Sequence, residues 1–183
     1  MVVDVRRWWA SAVMSGVKIR ADNAASVLAG LDRLSKMDVL VGIPESNATR
    51  EDGEELNNAE IAYLQSTGAT VRLGGQEVTL PPRPFLDIGI EDWAKITAEH
   101  LKAAAGHALD GNFTAAEREL TGAGQLASDA AKRVINDGDR LAPISDMTKE
   151  LRRKASPPIA GDKPLRARGY LVRSITFVVR GKK

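Results

Sequence analysis

Cysteine is absent from all 183 residues, which excludes a disulfide framework, thiolate metal sites and cysteine nucleophiles together. Aromatic residues make up only 4%, so a core must be assembled mainly from Ala, Val, Leu and Ile. No apolar run approaches the roughly 18 residues of a membrane-spanning helix. The opening Met-Val-Val-Asp-Val-Arg-Arg-Trp-Trp sets its charges ahead of only a short apolar stretch, which does not make a signal peptide. The expectation is a soluble chain made in the cytoplasm, with no membrane partner. Its 43% of hydrophobic residues suffices for one globular core, or one core with appended arms.

Signatures of chemistry are also lacking. His100 and His107 share a face of one predicted helix, but two turns separate them by about 10 Å, too far to ligate one metal ion. Asp52-Gly-Glu54 lacks the alternating oxygen ligands and terminal glutamate of an EF-hand. No Gly-x-Ser-x-Gly context singles out a nucleophile. Leu73-Gly-Gly-Gln76 lacks the Gly-Lys-Ser/Thr ending of a phosphate-cradling loop. No catalytic, cofactor-binding or metal residue is assigned, and the chain is not expected to be an enzyme.

What the sequence does have is segregated charge. Glu45, Glu51, Asp52, Glu54, Glu55 and Glu60 against Arg50 give residues 45–60 a balance of −5. Residues 149–183 hold eleven bases, among them Arg166, Arg168 and Arg173, against Glu150 and Asp162, a balance of +9. Such polarity suits head-to-tail contacts between copies, or a basic surface facing a phosphate backbone; a solvated face with a flexible tail is the plain alternative.

The pattern of residues predicts an α+β fold. Residues 1–22, with Trp8 and Trp9 beside Arg6 and Arg7, read as an N-terminal arm, and 23–183 as a single domain. Val27, Leu28, Leu31 and Leu34 predict a helix over 23–36, and Val39–Ile43 a buried strand ended by Pro44. Residues 45–55 should form a loop. Residues 57–66 return to a helical pattern that Gly68 stops. Thr70–Leu73 and Gln76–Leu80 flank Gly74-Gly75, a tight hairpin. Pro81, Pro82 and Pro84 then impose an extended connector, and Phe85 follows as an apolar anchor.

Ile90, Trp93, Thr97, Leu101, Ala104 and Ala108 predict one face of a long helix, and Leu120, Ala123, Ala127, Ala130 and Val134 the face of a second, over about 114–136. Gly122 and Gly124 weaken that helix by about 1 kcal/mol each, unless they permit close packing. A proline-bearing extended segment should span about 137–168, with a short helix from Met147 to Lys154 capped by Ser145 or Asp146. Arg173–Arg180 alternates as a final strand, with Ile175, Phe177 and Val179 on one side. The expected architecture is a small, mainly antiparallel sheet built from residues 39–43, 70–80 and 173–180. It packs against two long helices and carries extended N- and C-terminal arms.

Several segments, taken in order, carry a resemblance. They are Val39–Ile43; Ala59, Ile61, Ala62 and Gly68; the Pro-x-Arg-Pro-Phe-Leu connector of Pro81, Arg83, Pro84, Phe85 and Leu86; Leu141-Ala-Pro143 with Thr148 and Lys149; Lys163-Pro-Leu165; and Gly169, Leu171, Ser174 and Ile175. Together they resemble the tail-completion or neck (head-tail joining) family of long-tailed bacteriophages. Gln65, Ser66 and Thr67 replace that family's usual acid and aromatic, and Arg168 replaces a common Thr.

The resemblance implies a structural virion protein that completes the tail and joins it to the head as a ring, six copies being the expected number, around the DNA channel. Its partners would be copies of itself, neighbouring neck and tail proteins, and packaged DNA by non-specific contact. Trp8, Trp9, Glu51, Glu54, Glu55, Arg166, Arg168 and Arg173 are the candidate interface residues, and Pro81, Arg83, Pro84 and Phe85 the structural connector. The alternative is a non-specific DNA-binding or other minor structural protein; no reading motif such as a helix-turn-helix accompanies the basic segment.

Overall fold

The computed structural model describes residues 24–50, 56–73 and 75–182. The proposed arm with Trp8 and Trp9, the first residue of the expected helix, Asn23, and Glu51, Glu54 and Glu55 lie outside the described residues. Helix α1 (Ala24–Ser35) leads to strand β1 (Met37–Gly42), a short helix α2 (Glu45–Ala48) and α3 (Asn58–Thr67). The hairpin β2 (Ala69–Leu73) and β3 (Gln76–Leu80) precedes the two long helices α4 (Phe85–Leu109) and α5 (Phe113–Asp137). Helix α6 (Asp146–Lys154), a one-turn α7 (Tyr170–Ser174) and β4 (Thr176–Gly181) follow.

Local chemistry sets these boundaries. Asn57 and Glu60 form a reciprocal capping box at the start of α3, satisfying amides that the first helical turn leaves free. Asn112 caps α5 through the amide of Ala115, and Ser145 caps α6 through that of Thr148. Helix α3 stops at Gly68, whose φ of +76° suits glycine. A Cβ there would sit 2.9 Å from the Leu80 carbonyl, so the close approach of α3 to the end of the hairpin also demands a glycine.

Four expectations are corrected. The strands do not join one sheet: β1 pairs with β4, β2 pairs only with β3, and each sheet has two antiparallel strands. The hairpin closes its own ladder and needs no partner from elsewhere. β1 is half-buried rather than buried, because α5 covers only one of its faces and Leu40 remains exposed. Residues 45–48 form a helical turn within the expected loop. Residues 170–174 are helical, so the last strand starts at Thr176, and the C-terminal segment is a paired strand rather than an extended arm.

The two long helices pack side by side along their length through small residues. The expected face of α5 is the buried one: Leu120, Ala123, Ala127, Ala130 and Val134 all lie inside. The expected face of α4 holds at Ala104 and Ala108 and fails at Ile90 and Leu101. Phe85, Gly89, Ala104 and Ala108 are buried while Ile90 and Leu101 are exposed, because close helix approach selects the small side chains. A Cβ on Gly89 would lie 2.6 Å from the backbone of Ala131, and one on Gly124 would overlap the Phe177 ring of β4. Gly124 thus permits close packing, as one of the two sequence readings held.

The core has two lobes sharing α5. In one, Ala104, Ala108, Ala116 and Leu120 meet Met37, Val39 and Val179 of the β1–β4 ribbon. In the other, Phe85, Ala62, Ile135, Leu141, Leu171 and Ile175 converge, with Phe85 fully buried.

Candidate functional site

Beside the second lobe, the extended connector delivers Arg83 into the protein. A residue between Pro82 and Pro84 is held out of helical geometry, so its side chain is directed by the chain path and not by a helix face. Only 5% of Arg83 is exposed. Its backbone amide donates to the Gln65 carbonyl at 2.7 Å, joining the connector to the end of α3. Its Nη1 donates to Gln65 Oε1 at 2.6 Å, Nε to the Ala142 carbonyl at 2.6 Å, and Nη2 to the Pro143 carbonyl at 2.9 Å. The planar guanidinium thus fastens three stretches of chain with bonds that a lysine has no geometry to reproduce.

A second buried arginine performs a related task nearby. Arg152 of α6 donates through Nη1 to the carbonyls of Gly161 (2.9 Å) and Lys163 (3.0 Å), while its own carbonyl accepts from Ile159. These bonds fold residues 155–165 back over α6. Lys163 Nζ then reaches the Asn136 carbonyl at 2.7 Å, and Leu165 takes a φ of +57°, a left-handed conformation that costs a bulky residue about 1 kcal/mol or more.

Both arginines line an open cavity of about 640 Å³ between the hairpin, the start of α6 and the segment before α7. Ile61, Val78, Leu80, Ile144, Ile159 and Leu165 form its apolar wall. Arg50 and Arg168 contribute further positive charge, and among the described residues no Asp or Glu lines it. Burial, and then repulsion from Arg152, lowers the pKa of Arg83 below its ordinary value. Burial also lowers that of Arg152, against a partial opposing pull from Asp162. Two buried guanidiniums therefore share this cavity with carbonyl and amide partners and, among the described residues, no bonded carboxylate.

Of the sequence-predicted residues, Pro81, Arg83, Pro84 and Phe85 come together here, Phe85 in the core and Arg83 at the cavity. Arg168 lines the cavity while remaining exposed, Arg166 is exposed nearby, and Arg173 stacks on Tyr170 at 5.1 Å. Arg50 lies over the same ring at 5.5 Å. His100 Nδ1 lies 2.6 Å from Glu119 Oε2, a contact that bridges α4 and α5.

Sequence reasoning also missed the burial of Arg152. An amphipathic helix reads it as one more exposed base, and its fixing partners, Gly161 and Lys163, lie in a segment without periodicity. Among the described residues, no group of His, Asp or Glu is arranged to hold a metal ion, and no helix is long and apolar enough to cross a membrane. No family model, curated protein or solved structure matches the chain.

Proposed function

We propose that this chain is a structural virion protein of a long-tailed bacteriophage, completing the tail and joining it to the head as a ring around the DNA channel. One observation carries the reading. Segments named for their resemblance to the neck family, far apart in sequence, meet at one place: Arg83 ties the Pro-x-Arg-Pro-Phe connector to Leu141-Ala-Pro143, and to the end of α3 through Gln65, where the chain departs from that family. Lys163-Pro-Leu165 and Gly169–Leu171 border the same cavity or the loop that closes it.

On this reading the protein acts by contact and not by catalysis. A cyclic ring requires each copy to present two different surfaces; the exposed bases Arg166, Arg168 and Arg173 supply one, and the acidic sequence of residues 51–55 is its complement in charge. Exposed Ile90 and Leu101 on α4 add an apolar surface that the isolated chain leaves uncovered.

Mass measurement of the full chain across a concentration series tests the ring. A closed oligomer is expected, lost on charge reversal at Arg166, Arg168 and Arg173 and partly restored by reversal at Glu51, Glu54 and Glu55. A chain that stays monomeric, and that binds DNA weakly, without sequence preference and with steep salt dependence, decides for the DNA-binding alternative.

A further inference from the structure

The cavity beside Arg83 is more elaborate than a fold requires. A scaffold that needed only to join α3, the connector and residues 142–143 would gain as much from apolar packing, since buried charges cost free energy to desolvate. Here two guanidiniums lie 5% and 8% exposed, near enough for one to lower the pKa of the other, against a wall of aliphatic side chains. Donor capacity is left over. Arg152 spends Nη1 on two carbonyls, and its Nε and Nη2 have no bonded partner among the described residues. Arg83 donates once from each nitrogen, which leaves one hydrogen on each Nη.

A volume of about 640 Å³ falls within the range of small-ligand sites, and aliphatic walls with a few convergent polar groups are their usual composition. We propose that this cavity binds a carboxylate carried on an apolar body, with the carboxylate against Arg83 and Arg152 and the body along Val78, Leu80, Ile144 and Ile159. A carboxylate fits a guanidinium in two parallel hydrogen bonds and offsets the repulsion between the two arginines. The phosphate backbone of a duplex does not fit, because the guanidiniums are recessed. A bare inorganic anion leaves the aliphatic wall unfilled. The proposal stands independently of the assembly reading, because it concerns binding to the free chain.

Titration calorimetry on the full chain tests it with octanoate, octan-1-ol and octylamine as probes. Octanoate is expected to bind about ten- to a hundredfold more tightly than octan-1-ol, the margin of charge-assisted hydrogen bonds, and octylamine more weakly than either. Arg152→Gln should abolish the preference for octanoate over octan-1-ol. If circular dichroism shows that this variant does not fold, Arg168→Gln is read instead: its exposed side chain adds positive charge to the same cavity and has no bonded partner among the described residues, so its loss should narrow the preference severalfold.

Equal affinity for octanoate and octan-1-ol overturns the proposal, as does a preference that survives in the folded variant. A synthetic peptide of residues 50–57 separates two sources of the carboxylate. Displacement of octanoate by the peptide assigns it to the acidic segment of a neighbouring copy, and retention of octanoate assigns it to a free acid.

Discussion

Between α4 and α5 the chain gains contact by omitting side chains, whereas around Arg83 it gains contact by extending one. In the helix pair, Gly89 lets the backbone of Ala131 approach, and Gly124 admits the Phe177 ring, so cohesion comes from close apolar packing that is regular along both helices. In the second region no element is long enough to repeat anything. Gln65, Ala142, Pro143, Gly161 and Lys163 are held by guanidinium donors that reach across irregular chain. Close packing tolerates no added atoms and is indifferent to charge, while the arginine-bonded layer tolerates open volume beside it and is sensitive to donor geometry.

The sharpest way to break this contrast is at Phe85, where the two regions join. Phe85→Ala removes a fully buried ring from the lobe shared by α3, α5 and α7, with an expected loss of about 3–5 kcal/mol in denaturant unfolding. An unchanged melting temperature would show that the junction is not core.

Next in size is Arg83→Lys, expected to lose about 3 kcal/mol despite keeping the charge, because an ammonium leaves some of the Ala142, Pro143 and Gln65 acceptors without a donor. A stability equal to wild type would mean that charge alone, and not the fork of donors, holds this layer.

The smallest effects come from a pair of glycines on one helix. Gly89→Ala should cost about 1–3 kcal/mol, since its Cβ meets backbone that has no room to yield. Gly106→Ala, with nothing within 4 Å of the added atom, should instead stabilise by about 1 kcal/mol through helix propensity. Thermal melts showing the same sign for both would remove the distinction between packed and open glycines.

The same contrast decides what was legible in the sequence. The face of α5 was readable because its buried residues recur at helical spacing over 25 residues, and the hairpin because Gly74-Gly75 sits between alternating runs. The face of α4 was legible only in part: Ala104 and Ala108 are buried as their spacing predicts, but hydrophobicity also points to Ile90 and Leu101, which are exposed, while the packing selects Gly89 for size. Helix α7 was missed because a single turn after Gly169 is too short to show a period, and its residues alternate well enough to extend the strand that follows. The separation of the two sheets was not written locally, since pairing of Val39 with Val179 depends on how α5 brings distant segments together. At the candidate site the connector was legible through its prolines. The burial of Arg83 and Arg152 was not, because arginine is ordinarily a surface residue and nothing in its neighbours' spacing marks the exceptions.

The β1–β4 ribbon has a further consequence, in the order of events during synthesis. Met37 pairs with Gly181 and Gly42 with Thr176, so a strand made early waits for one made more than a hundred residues later. Such distant pairing forms slowly compared with local helices and hairpins, because a long loop must close before any contact rewards it. Until β4 has left the ribosome, the Gly124 groove on α5 lacks the Phe177 ring that fills it, and β1 has an unpaired edge. A chain interrupted before Thr176 therefore keeps its helices and hairpin yet exposes both a groove and a strand edge. Emergence of β4 thus becomes the step that seals this face of the protein.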